Sequence, residues 1–143
     1  MNPSARSKRS LSFAIPYIVN PKQSMRIGMR GSRPCSFQDP KVIRNADALA
    51  ALMLPHRPES PLVGPIKESV RFVYPWLKKH PNKVRAGFLE KDTRPDIEQL
   101  LKQLNDVMER MGFFDNDAQV AVVEASKVFG PTPLVQIELA EIR

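Results

Sequence analysis

Residues 96–112 read DIEQLLKQLNDVMERMG. Ile97, Leu100, Leu101, Leu104, Val107, Met108 and Met111 recur at three- and four-residue spacing and lay one apolar stripe along a helix. Gly112 supplies the stop. Asp96 with Gln99 three residues later has the form of a capping box at the start. The stretch predicts a helix of about 15 residues, ~22 Å long.

Working outward, two strands follow the helix, at about 119–129 and 134–142, turned by Gly130-Pro131-Thr132-Pro133. Before it, Ile66, Val70, Phe72 and Tyr74 share one parity and predict a strand over 66–74. Leu77 to Arg85 reads as a basic loop. Four prolines between 55 and 65 exclude regular structure there. Val42, Ile43, Ala46, Leu49, Ala50 and Met53 predict an amphipathic helix over 40–54, with Asp39 as N-cap and Pro40 at its first position. Residues 20–38 read as a basic loop, and 11–19 as a strand bent at Pro16. The order β-α-β-α-β-β predicts one α+β domain over residues 1–143, with a mixed or mostly antiparallel sheet, two main helices and a basic arm at 1–10.

Composition narrows the class. With 42% hydrophobic and 26% charged residues, the 143-residue chain can bury a core and is not of disordered composition. One thiol, Cys35, excludes an internal disulfide framework and fits a reducing compartment. The longest apolar run, Ala48 to Leu54, falls far short of the ~20 residues of a membrane span. Basic residues precede the apolar stretch from Leu11, but Pro16 interrupts it and no small-residue cleavage pattern follows, which argues against a secretory signal. A cytoplasmic location is expected, ahead of a mitochondrial transit peptide.

The charge is unevenly spread. Residues 1–60 carry net +7, residues 61–93 net +4 and residues 94–143 net −4. Such a division suits a protein that draws a polyanion to one surface and gathers carboxylates elsewhere to hold a cation. His56, His80 and Cys35 have no zinc-site spacing, and no glycine-rich phosphate cradle is present. Carboxylate chemistry remains, and Arg94-Pro95-Asp96-Ile97-Glu98 is its place. Pro95 favours an extended approach, in which Asp96 and Glu98 would face one spot as half of a Mg²⁺ site. Asp115-Asn116-Asp117 offers further acid past the helix. Two readings stand at this point: a cation site, or a capping Asp96 beside a surface stripe of Glu98, Lys102 and Asp106.

Residues 94–102, Asp106 and the run Gly112-Phe113-Phe114-Asp115-Asn116-Asp117-Ala118-Gln119-Val120 resemble the RusA-like Holliday junction resolvases. The typical family pattern is Pro-Asp-x-Asp-Asn-Leu-x-Lys, an Asp four residues on, and Asp-Asp-x-Gln-Val after the helix. The likeness covers about residues 94–127, including a family-like Lys127. It implies a Mg²⁺-dependent endodeoxyribonuclease, with Mn²⁺ as an alternative ion, acting as a homodimer on four-way or related branched DNA in a bacterial or phage-infected cell. It implies that Asp96, Glu98 and Asp117 hold the metal and that these three with Lys102 form the catalytic set. Glu98 and Gln99 stand where Asp and Asn are usual, and Asn116 where the first of two paired aspartates is usual. Those departures keep a second expectation open, a nucleic-acid-binding protein that retained the fold with weakened or lost chemistry.

Lys22, Arg26 and Arg30 in one basic loop and Lys78, Lys79, Lys83 and Arg85 in the other are expected to contact phosphates. Trp76 and Phe88 are expected either to stack on bases at a branch point or, for Trp76 above all, to pack in the core. One constraint is geometric. Gly112 to Asn116 reaches back at most ~17 Å along a ~22 Å helix. Asp117 therefore meets Asp96 only if the helix is shorter, or if a second subunit supplies it. A dimer with the apolar helix stripe at its core is the expectation.

Overall fold

Alternate apolar positions between 66 and 74 demand a strand with one well-buried face, and the chain places that strand at the centre of its sheet. The computed structural model describes residues 7–19, 26–31, 33–37 and 40–143, without the side chains of 26–30, 34–37 and 42. In chain order the elements are β1 (Ser10–Ile15), β2 (Arg26–Arg30), β3 (Arg33–Phe37), α1 (Pro40–Met53), β4 (Ile66–Pro75), β5 (Leu89–Glu90), α2 (Ile97–Arg110), β6 (Val120–Gly130) and β7 (Leu134–Glu141). The five-stranded sheet runs β1-β7-β4-β6-β5. β4 pairs parallel with β6, and the other three pairings are antiparallel. The fold is α+β with a mixed sheet and two helices, as the sequence order implies. Among the described residues no helix is long and apolar enough to cross a membrane.

The turn at 130–133 does not close a hairpin. β6 and β7 lie on either side of β4, so three residues span two strand spacings, about 9.6 Å. β4 takes the middle because its apolar content serves both faces: Phe72 and Val73 are adjacent and both buried. β1 ends at Ile15, one residue before Pro16, which cannot donate to a sheet. The Tyr17 amide donates to the Ile15 carbonyl at 2.9 Å, a tight turn around the proline.

The expected loop over 20–38 contains a hairpin. β2 and β3 pair from Arg26 with Phe37 to Arg30 with Arg33, and Gly31 between them takes φ +66°. Five-residue strands interrupted by Gly28 and Pro34 were too short to register as periodic. Arg26 and Arg30 thus sit on β2, whereas Lys22 and the expected N-cap Asp39 fall outside the described residues.

Helix α2 begins at Ile97, and the Asp96 carbonyl accepts its first helical bond from the Leu100 amide at 3.2 Å. The Asp96 side chain makes no capping bond, which corrects the capping-box expectation. At the other end, Gly112 at φ +83° lets the Phe113 amide reach the Met108 carbonyl and the Gly112 amide reach that of Glu109, a complete Schellman stop. Leu100, Leu104, Val107 and Met108 are buried in this chain's own core with Leu49, Met53, Val70, Phe72 and Ile137. The stripe therefore packs α2 on its own sheet, so the expectation that it forms a dimer core does not hold. Ile43, expected on the buried side of α1, is half exposed.

One core position is acidic. Glu68 shares the parity of Ile66 and Val70 and is wholly buried. Its strand neighbours Val123 and Leu139 are apolar, and from α2 it meets Asn105, whose amide nitrogen donates to Oε1 at 3.2 Å. Glu68 Oε2 and Asn105 Oδ1 are both buried without a partner. Burial pushes the carboxyl up to about 7, against the smaller opposing effect of the Asn105 bond. A neutral carboxyl removes the buried charge and supplies the one donor that these two acceptors lack.

A raised carboxyl favours the folded state at low pH and loses that contribution as pH rises from about 4.5 through about 7. Replacing Glu68 by Gln, which is neutral throughout, is expected to stabilise the protein by about 3 kcal/mol at pH 8 relative to its effect at pH 4.5. Urea unfolding at the two pH values measures it, and a pH-independent difference between variant and wild type would contradict the assignment.

Candidate functional site

The acidic residues lie along α2 and on the turn that leads from it into β6. Asp96 precedes the helix and Glu98 stands in its first turn, both exposed. Neither side chain has a hydrogen-bond or ion-pair partner among the described residues. Lys102 follows one turn after Glu98. Its ammonium lies 3.1 Å from Asp106 Oδ1 and 3.6 Å from Asp117 Oδ2. The bond to Asp106, with the charges of Asp106 and Asp117, raises its pKa. Paired with these two carboxylates, the ammonium stands as a positive charge beside the turn.

Asp117 is positioned by its backbone. It opens a short 3₁₀ turn, Asp117–Gln119, and its amide donates to Glu109 Oε1 at 2.9 Å. Asn116 caps the turn through Oδ1, which accepts from the Ala118 amide at 2.8 Å. Gln119 Oε1 accepts from the amides of Asp115 and Asn116 at 3.0 and 3.1 Å. Its Nε2 donates to the carbonyls of Leu62 and Gly64, which ties the turn to the chain before β4. The departure at Asn116 thus has a structural reading: an amide oxygen fills the capping role as an aspartate would. Gln119, left out of the expected site, is the residue that locks the turn, and its place beside the acids in the motif was the available signal.

The structure brings Lys102, Asp106 and Asp117 together. It does not bring Asp117 to Asp96 and Glu98. Lys102 lies six residues beyond Asp96, an axial rise of about 9 Å, and Asp117 meets only its ammonium, which also bonds Asp106, while the Asp117 amide is held by Glu109 further along the helix. Among the described residues no group of three His, Cys, Asp or Glu side chains lies close enough to hold a metal ion. In donor chemistry the residues do fit a hard divalent cation, since Asp96 and Glu98 offer carboxylate oxygens that nothing in the chain occupies.

The expected phosphate contacts divide. Lys78, Lys79 and Lys83 are exposed. Arg85 turns inward, its Nε donating to the His80 carbonyl at 3.1 Å and its Nη2 to the carbonyls of Leu77 and Lys78 at 3.0 and 3.3 Å. It builds the loop that presents the lysines. Trp76 is partly buried and lies outside the main core: its ring stacks on Phe129, and Nε1 donates to the Arg85 carbonyl at 3.1 Å. Phe88 is half exposed beneath the guanidinium of Arg71, a residue lining the sheet face opposite the helices together with Ser69, Ser126 and Gln136. That puts it on the far side of the sheet from α2.

The α+β chain thus carries two carboxylates without partners among the described residues at a helix start and a paired lysine one turn on. The chain belongs to the RusA endodeoxyribonuclease family, whose description, Endodeoxyribonuclease RusA, matches residues 16–140. It is 32% identical over 78 residues to the crossover junction endodeoxyribonuclease rusA of Lactococcus phage r1t, covering 54% of this chain and 56% of that protein. It is also 28% identical over 93 residues to the uncharacterized protein YqaN of Bacillus subtilis (strain 168), covering 61% of this chain and 65% of that protein. The similarity thus spans less than two thirds of either relative.

The capping role of Asn116 is open to direct measurement. Asn116→Ala is expected to cost about 1 kcal/mol of stability, and Asn116→Asp to stay within ~0.5 kcal/mol of wild type. Equal losses in thermal or urea unfolding for both substitutions would contradict the capping role.

Proposed function

We propose that this protein is a structure-selective DNA endonuclease that resolves four-way junctions, or related branched DNA, by Mg²⁺-dependent phosphodiester hydrolysis as a homodimer. The observation that carries the reading is the pair Asp96 and Glu98, two carboxylates without partners at the start of α2 in a chain of the RusA family. The name of the phage relative, a crossover junction endodeoxyribonuclease, supports the substrate class.

Asp96 and Glu98 would hold the metal ion with Asp117, and the bound ion would activate water and neutralise the leaving oxygen. Glu98 keeps the charge of the usual aspartate on a longer arm. Lys102, held protonated by Asp106, supplies positive charge one turn from Glu98, where it offsets charge developing on a phosphate. Lys78, Lys79 and Lys83 draw the DNA backbone without reading its sequence. The distance along α2 supports a site completed between two copies, with Asp96 and Glu98 from one and Asp117 from the other.

A second reading, a nucleic-acid-binding protein without the chemistry, draws on Glu98 and on the unassembled acidic set. Cleavage of a synthetic four-way junction, compared with a linear duplex, separates the two. The nuclease reading expects paired nicks in the junction with Mg²⁺ or Mn²⁺ and none with chelator. A junction left whole under every divalent metal would refute it. Asp117→Asn is expected to lower cutting by about two orders of magnitude or more while salt-sensitive junction binding persists, since one ligand is lost and the basic surface stays. Normal cutting by Asp117→Asn would show that the site is elsewhere.

A further inference from the structure

Asp96 has no side-chain partner, so its direction comes from the backbone on either side of it. After it, the Asp96 carbonyl is fixed by the first bond of α2, from the Leu100 amide. Before it, the connector from β5 bends at Thr93, Arg94 and Pro95 instead of arriving extended as the sequence suggested, with no helix or sheet of its own. The bend leaves the Thr93 and Pro95 carbonyls, either side of Arg94, turned to one spot. Here they point to Lys127. Its Nζ donates to the Thr93 carbonyl at 2.6 Å and to the Pro95 carbonyl at 2.8 Å.

Lys127 is built for this reach. It lies on β6 directly opposite Phe72 of β4, hence on the helix-bearing face of the sheet, and it is half buried. Its own carbonyl accepts from the Lys91 amide at 2.9 Å, which continues the β5–β6 pairing to the start of the connector. Lys91 adds a second grip, since its Nζ donates to Thr93 Oγ1 at 2.7 Å while lying over the Phe129 ring. Two lysines thus converge on Thr93 despite their mutual repulsion, which, after burial, is the next cause lowering the Lys91 pKa. Charge-assisted bonds of 2.6 and 2.8 Å from one ammonium are strong ones.

We propose that Lys127 is a positioning residue: by clamping the Thr93 and Pro95 carbonyls to β6, it aims the Asp96 carboxylate for cation binding. The proposal rests on the metal-dependent reading above. It also makes β6 the common ruler of the acidic set, because the same strand starts beside Asp117 and holds the approach to Asp96 near its end.

Full-length wild type, Lys127→Met and Lys127→Arg are compared by amide hydrogen exchange without metal, and by Mn²⁺ titration followed by electron paramagnetic resonance. In Lys127→Met, exchange of residues 93–99 is expected to quicken about tenfold or more while residues 103–110 stay protected, and Mn²⁺ affinity is expected to fall by about tenfold to a hundredfold. Lys127→Arg, which can still donate to both carbonyls, is expected to restore most of both. High Mn²⁺ is expected to recover junction cutting by Lys127→Met, as for a displaced ligand. If Lys127→Met does not fold, the comparison is read on Lys127→Gln, whose shorter, uncharged amide donates more weakly, with smaller effects in the same order. Unchanged exchange over 93–99 would overturn the proposal, as would faster exchange with wild-type Mn²⁺ affinity. Lost junction binding with unchanged exchange would make Lys127 a phosphate contact instead, which also overturns it. Failure of the nuclease reading looks different: wild type would bind Mn²⁺ and lose it in Asp96→Asn, yet cut no junction.

Discussion

The parallel pairing of β4 with β6 governs the rest of the molecule. Parallel neighbours cannot be joined by a tight turn, so the chain must travel back along the sheet before β6 can begin. α2 makes that return, and its 14 residues, about 21 Å, set the distance between what lies at its two ends. Asp96 stands at the start and Asp117 on the turn after the end. The apolar stripe that holds α2 to the sheet also fixes which face remains for Glu98, Lys102 and Asp106. Packing and site geometry are consequences of one topological requirement.

That requirement also explains the disposition of charge. Lys102 reaches Asp117 because the turn after α2 folds back along the helix and is locked there by Asn116, Gln119 and Glu109. The basic residues of the chain have separate duties. Arg85 spends its donors on loop carbonyls, Lys127 on the connector before α2, and Lys102 on carboxylates, while Lys78, Lys79 and Lys83 face solvent. Net charge alone cannot distinguish a cation that meets DNA from one that shapes the protein. The difference lies in which carbonyls and carboxylates the fold brings within reach.

Much of the architecture was legible because period and capping are local. The 3.6-residue stripe and Gly112 located α2 within a residue or so of its ends, and the parity of Ile66, Val70 and Phe72 located β4. What sequence could not supply was non-local. The order of strands in the sheet, with β4 between β6 and β7, depends on pairings between distant segments. Glu68 follows the apolar parity but is polar, and its burial rests on Asn105 above it and on a carboxyl that burial pushes toward the neutral form. Asp96 has the sequence signature of a cap, yet the structure leaves its carboxylate unused. The motif named the acidic residues, and the length of α2 shows why one copy of the chain does not gather them.

The central claim, a carboxylate site completed between two copies, has a direct test in subunit mixing. Asp96→Asn and Asp117→Asn are each expected to fail on a four-way junction alone. A mixed dimer of the two would carry one site with every acid intact, Asp96 from one chain and Asp117 from the other. Nicking of the junction on mixing the two inactive variants is the result expected. No nicking by mixtures shown to contain the mixed dimer, while the wild type cuts, would place all three acids of each site in a single chain and contradict the account.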